Sequence, residues 1–486
     1  MSVVERLFPG ADEDTGRFVV VTAALAALNG LLFGFDTGVI SGAMLYIRDT
    51  FDLTALFGYP LASSTVEGLI VSGAMAGAIV GAALGGRLAD RLGRRRLILV
   101  GAVIFFAGSL LMTIAPTVEI LIVGRVLDGL GIGFASVVGP LYISEIAPPK
   151  IRGSLVTFNQ IMITGGIFVS YLTNYALASL IVDAELSWRL MLGVGMVPAL
   201  VLLVGIHFLP ESPRWLVERD REQRARSVLG RIRNGTDIDA EVREIKRVAA
   251  IEEDGFRELL KPWIRPVMIV GLGLAIFQQA TGINAVVYYA PTILEASGYS
   301  DTAAIFGTIG VGAINVGLSI VAALLLDRVG RRPLLLVGLV GMFVTLAVLG
   351  GAYYLPGMSG LIGPIAVASL MLFVAGHALS LGPVFWLLIS EIYPLNVRGA
   401  AMGVVTLVLW LSNFLVAQLF PSLFEIGPTV AFWSFAGVTA AAFAFAYVFV
   451  PETKGRSLEE IEADLRETAV TGDELSIADR ADRADD

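Results

Sequence analysis

Nine stretches of this chain, each at least 18 residues long, contain no Asp, Glu, Lys or Arg: residues 18–35, 68–86, 97–118, 153–182, 190–210, 266–294, 302–326, 399–424 and 426–450. A tenth, residues 333–390, covers 58 positions and is too long for one helix. Pro356-Gly357 and Ser359-Gly360 supply the turn that divides it. Crossing a bilayer core takes roughly 20 predominantly apolar residues, so these runs predict eleven membrane helices. The twelfth lies at residues 120–144, interrupted by Arg125 and Asp128. With 56 % hydrophobic and 16 % charged residues, against about a quarter charged in soluble domains, a soluble fold is excluded. The expected class is an all-α membrane protein.

Short motifs between these runs recur in order. Asp90-Arg91-Leu92-Gly93-Arg94-Arg95 returns as Asp327-Arg328-Val329-Gly330-Arg331-Arg332. Ser144-Glu145-Ile146, with Pro148 and Arg152-Gly153, returns as Ser390-Glu391-Ile392, with Pro394 and Arg398-Gly399. Pro210-Glu211 returns as Pro451-Glu452. Three ordered pairs argue for a duplicated unit, hence two parallel repeats of six helices. The expected divisions are a segment 1–16, a first half 17–210, a helical linker 211–265, a second half 266–450 and an acidic tail 451–486. The linker is charged but keeps helical spacing at Val228, Ile232, Val242 and Ile245.

If twelve helices alternate, 31 of the 34 Lys and Arg fall on the side of the two termini. Arg48 and Arg189 fall opposite, and Arg125 lies within a span. The positive-inside rule then places both termini in the cytoplasm of a multi-pass plasma-membrane protein. The polar, acidic segment 1–16 does not read as a cleavable signal, so the first span is expected to be a mature helix. The chain has no Cys and two His, which excludes disulfides, thiolate metal sites and cysteine nucleophiles. His207 and His377 read as packed helix residues. No metal cluster, nucleophile–base set or phosphate-binding loop is legible, so neither an enzyme, a cofactor, nucleic-acid binding nor ATP drive is expected.

Five motifs carry a family resemblance. They are Gly86 with Asp90-Arg91-x-Gly93-Arg94-Arg95; Gly124-Arg125; Pro210-Glu211-Ser212-Pro213-Arg214-Trp215; Gln278-Gln279-x-x-Gly282-x-Asn284-x-x-x-Tyr288-Tyr289; and Pro451-Glu452-Thr453-Lys454-Gly455. Together, over roughly residues 17–460, the chain resembles the sugar-porter family of the major facilitator superfamily. Within it the chain is similar to bacterial xylose–proton symporters and facilitative glucose carriers. The resemblance implies a major facilitator fold whose halves rock around a midplane site, acting as a monomer on a neutral sugar.

A sugar site wants amides, which donate and accept, and an aromatic platform. Gln278, Gln279 and Asn284 in predicted helix seven supply the amides, with Gln278 and Gly282 on one face. The alternative is that these amides tie neighbouring helices together. The resemblance adds Gln160 of helix five and Trp386 of helix ten, beside Gly382-Pro383 where that helix could bend, and matches Asn315 and Asn413. The chain departs from its relatives at Leu409, before Trp410, where they carry Gln or Asn.

Asp36 and Arg125 are expected about 8–10 Å below the outer surface, at about 1.5 Å per residue. Charges at such depth are usually paired or functional. Either they form a static salt bridge, or desolvation and Arg125 pull Asp36 towards opposite protonation states and it carries a coupling proton. In the family, proton symporters carry Asp in the setting Phe35-Asp36-Thr37-Gly38, where facilitative carriers tend to have Asn. Na⁺ is the alternative coupling ion. Asp128 departs from the small or apolar residue commoner in relatives. Asp90, Arg91, Glu145, Arg152, Asp327, Arg328, Glu391 and Arg398, at helix ends, are expected by resemblance to form a cytoplasmic gate. The function expected is a proton-coupled hexose or pentose symporter, with a facilitative sugar or polyol uniporter and, less, a sugar sensor as alternatives.

Overall fold

The computed structural model describes residues 13–148, 152–232, 237–249, 258–259, 261–358, 360–394 and 397–455. Among the described residues twelve spans are long and apolar enough to cross a membrane: Ala24–Thr50, Ser63–Leu92, Arg94–Thr113, Val118–Ile146, Phe158–Leu180, Ala184–Phe208, Pro262–Ala296, Asp301–Leu326, Arg331–Tyr354, Ile362–Ile392, Arg398–Ile426 and Pro428–Phe449. They are called spans one to twelve below. The long uncharged run divides between Tyr354 and Ile362, as its Pro and Gly residues predict. Large apolar side chains such as Leu200, Leu324, Val337 and Phe449 face outward, the surface that a lipid solvent requires.

Hydropathy marks the spans but is blind to their interruptions. Span seven is two helices, Arg265–Ala280 and Ile283–Ala296, broken at Gly282 with φ +94°. Span ten is Ile362–Leu379 followed by Leu381–Ile392, broken at Ser380. The bend expected at Gly382-Pro383 is therefore two residues late. Pro383 sits in the first turn of the second helix, where its missing N–H costs nothing.

The duplicated turn has a physical reason for its sequence. Gly93 and Gly330 adopt φ +96° and +105° between consecutive helices, a region that L side chains avoid. A Cβ on either would also run into a carboxylate, of Glu211 or of Glu452. Those two carboxylates accept the first free N–H groups of spans three and nine: Arg95 N to Glu211 Oε1 at 3.1 Å, and Arg331 N and Arg332 N to Glu452 at 3.1 Å each. The repeated Pro-Glu pairs are thus helix caps supplied from the far end of each half. At Glu452, burial favours the neutral acid but is outweighed by the surrounding backbone N–H groups, which hold the carboxyl below its ordinary range.

Between spans six and seven the described residues form three short helices, Pro213–Glu218, Glu222–Ile232 and Ile238–Ala249. The first docks on the duplicated turn, with Trp215 Nε1 and Arg219 Nη2 each donating to the Asp90 carbonyl at 2.7 Å. These helices and the basic turns share one face, called the linker face here. On the opposite face the halves are joined by Arg48–Glu295 (2.6 Å), Ser72–Gln418 (2.8 Å), Gln418–Thr65 (3.1 Å) and Ser64–Ser422 (3.3 Å). Tyr171 OH donates to the Val287 carbonyl at 2.9 Å and also joins them.

Candidate functional site

Asp36 and Arg125 meet. Arg125 Nη1 donates to Asp36 Oδ1, and both side chains are buried, at 0 % and 3 % exposure respectively. Spans two and four approach closely because Gly77 and Gly129 present no side chain: a Cβ on Gly129 would overlap the Ala74 backbone, and one on Gly77 would overlap that of Val126. Arg125 is thereby enclosed, and its Nε donates to the Ile70 carbonyl at 3.2 Å. Asp128 lies on the same cluster, 4.0 Å from Arg125 Nη1.

The break at Gly282 shapes the amide group. In an unbroken helix, residues five apart point about 140° away from each other at 3.6 residues per turn, so Gln279 and Asn284 would not meet. Here Asn284 Nδ2 donates to Gln279 Oε1 at 2.7 Å, and Gln279 Nε2 donates to Gln278 Oε1. The three amides form one hydrogen-bonded chain. Gln278 and Gln279 are buried and Asn284 half-buried. The shared face expected for Gln278 and Gly282 gives way to this arrangement, because the helix ends between them.

The second helix of span seven then reaches the buried charges. Tyr288, buried, receives a hydrogen bond from Asn413 Nδ2 at 3.3 Å, neighbours Thr37 and lies within electrostatic reach of Asp36 and Arg125. The signal for Tyr288 in the sequence is its place four residues after Asn284, on one face of a helix. Asn413 Oδ1 and Asn159 Oδ1 are buried without a donor. Gln160 is half-buried, Asn315 is 9 % exposed and Trp386 is 37 % exposed with its ring edge-on to Phe385. Among the described residues no side-chain hydrogen bond ties these three to the amide chain. Leu409 is buried beside Trp410, whose ring lies 5.3 Å from that of Phe33 across the two halves.

At the linker face the expected gate residues Glu145 and Glu391 pair with arginines outside the expected set. Glu145 pairs with Arg94 (Nη2 at 2.9 Å, Nε at 3.0 Å), and Glu391 with Arg331 at 2.9 Å and with Thr453. Arg94 also reaches Asp90 at 3.2 Å. The arginine after the glycine is the paired one in each repeat, because the positive-φ turn aims it back along the neighbouring helix. Arg91 and Arg328 point to solvent. Arg398 donates to the Tyr393 carbonyl at 3.0 and 3.1 Å and caps its own helix entry. The side chains of Arg152 and Asp327 lie outside the described residues. These two pairs lock helices within a half rather than across halves.

A family model described as "Sugar (and other) transporter" matches residues 22–465. The glucose transporter GlcP of Staphylococcus epidermidis is 43 % identical, covering 91 % of this chain and 96 % of that one. The galactose–proton symporter of Escherichia coli is 40 % identical, covering 91 % and 93 %. The solved structure of the xylose transporter XylE from E. coli, in a partially occluded inward-open conformation, is 33 % identical with a TM-score of 0.80, covering 90 % and 99 %. With twelve spans and a match over most of its length, the chain belongs to the sugar-porter family of the major facilitator superfamily and is a membrane sugar transporter, not an enzyme.

Proposed function

We propose that this transporter couples the inward movement of one neutral hexose or pentose to a proton, by alternating access, as a monomer in the plasma membrane. Both termini and the linker face are cytoplasmic in this reading, and residues 17–210 and 266–450 are the rocking halves. The carrying observation is the buried Asp36–Arg125 pair with the buried Tyr288 close enough to feel both charges, five residues after the sugar-facing Asn284 turn begins at Ile283. A shift of the second helix of span seven on sugar binding would move Tyr288, alter the surroundings of Asp36 and change whether its carboxylate or its neutral acid is favoured. Gln278, Gln279, Asn284, Gln160, Asn315 and Asn413 supply polar groups to the sugar and Trp386 an apolar face.

The polar contacts between halves on the outer face, with Trp386 and Asn284 partly open, support an inward-facing conformation. Arg94–Glu145 and Arg331–Glu391 keep each half rigid at the cytoplasmic helix ends, so that the halves turn as units. The mechanism is tested by adding sugar to purified carrier in weakly buffered proteoliposomes. Symport is expected to raise the external pH with each sugar that enters. Sugar entry at constant external pH, with or without Na⁺, would leave a proton-independent carrier.

A further inference from the structure

Asp128 stands one turn after Arg125 on span four and is wholly buried. Its Oδ1 accepts from Ser109 Oγ at 3.3 Å, and its Oδ2 lies 4.0 Å from Arg125 Nη1, the same nitrogen that Asp36 holds. Asp36 Oδ2, Asp128 Oδ2 and Arg125 Nη2 have no hydrogen-bond partner. Other elements present few groups here. Span three gives Ser109, span two the Ile70 carbonyl and Gly73, span one Thr37, and span seven the phenol of Tyr288. Among the described residues no further charged side chain makes an ion pair with the three. Span three packs closely here: at Gly108 an added Cβ would lie 2.6 Å from the Asp128 nitrogen.

Two carboxylates against one guanidinium, in a closed space, carry one negative charge in excess. One proton bound at either carboxylate relieves that excess and leaves the other as the partner of Arg125. We propose that Asp36 and Asp128 form a one-proton site in which Asp128 is the standby anion of Arg125. The proton arriving from outside forms an O–H bond at Asp36, whose hold on Arg125 weakens. The guanidinium then turns to Asp128, closing the 4.0 Å gap, and returns when the proton leaves to the cytoplasm. Arg125 is never a bare buried cation, a state that is costly in any membrane helix. This inference rests on the proton-coupled reading above.

The test is uptake of labelled sugar into proteoliposomes as a function of external pH, for wild type, Asp128→Asn and Asp128→Glu. Removing the neighbouring negative charge makes proton loading less favourable, so a lower pH is needed. The half-maximum for Asp128→Asn is expected to move to acid by about one pH unit or more, the size of shift a close like charge produces. Asp128→Glu, which keeps the charge, should move it back towards wild type. Thermal unfolding supplies a second readout. Asp36→Asn and Asp128→Asn should each fold, because one anion remains, while the double variant should lose far more than the two losses added. An unmoved half-maximum, an additive double variant or an unfolded Asp128→Asn protein would each overturn the standby role. Gradient-driven accumulation by Asp36→Asn would overturn it too, since Asp128 would then be the carrier. If wild type itself ignores the proton gradient, the coupled reading falls and this inference with it; if wild type responds and Asp128→Asn matches it, only this inference falls.

Discussion

Asp36→Asn is expected to abolish accumulation of sugar above equilibrium while exchange of labelled for unlabelled sugar continues at a reduced rate. Asn keeps the shape of the side chain and can still accept from Arg125, but it carries neither the charge nor the proton. Removing one partner of a buried ion pair ordinarily costs about 3–5 kcal/mol, through the charge left behind. Here Asp128, 4.0 Å from Arg125 Nη1, is available as a substitute anion, so the variant should fold and reach the membrane. The measurement is uptake into proteoliposomes under an inward proton gradient, set beside exchange in the same vesicles. Loss of both would point to a structural salt bridge. Retention of both would remove Asp36 from coupling.

Gln279→Ala is expected to weaken sugar binding about ten- to a hundredfold, as follows from the roughly 1–3 kcal/mol lost when a buried polar group is left unpaired. Gln279 is the middle of the amide chain, accepting from Asn284 and donating to Gln278. Its removal deprives the sugar of one partner and releases the other two amides. Equilibrium binding of labelled sugar to purified protein reads the effect directly. If the amides serve only to tie helices together, binding would hold while the unfolding temperature dropped. If they hold the sugar, binding falls and the midpoint of unfolding moves little.

The contrast between these two residues and the gate reflects what a sequence can carry. The twelve spans were legible because lipid imposes length and apolarity on every crossing helix. The pairing of Asp36 with Arg125 was legible from depth, since a helix rises by a fixed amount per residue. Helix breaks were not: Gly282 and Ser380 sit inside continuous apolar runs, and only backbone geometry distinguishes them from their neighbours. That is why the hydrogen bond between Gln279 and Asn284 had no counterpart in helical spacing. The duplicated turn showed where basic residues gather at the helix ends, but not which of its arginines faces Glu145 or Glu391. That choice follows from the positive φ of Gly93 and Gly330, which the repeated glycine itself hinted at. The recurrence of Pro-Glu at Glu211 and Glu452 likewise signalled a shared task, and the task is capping the helices that begin at Arg94 and Arg331.

Asp36, Arg125 and Tyr288 are expected to make sugar entry depend on a proton. The most direct test is the steady level of labelled sugar inside wild-type proteoliposomes with an inward pH gradient of one unit, no membrane potential and no Na⁺. One proton per sugar supports about tenfold accumulation, because one pH unit is worth about 1.4 kcal/mol. Accumulation approaching that level, collapsing when a protonophore is added, is the expected result. Equal concentrations on the two sides, unchanged by the gradient, would contradict it.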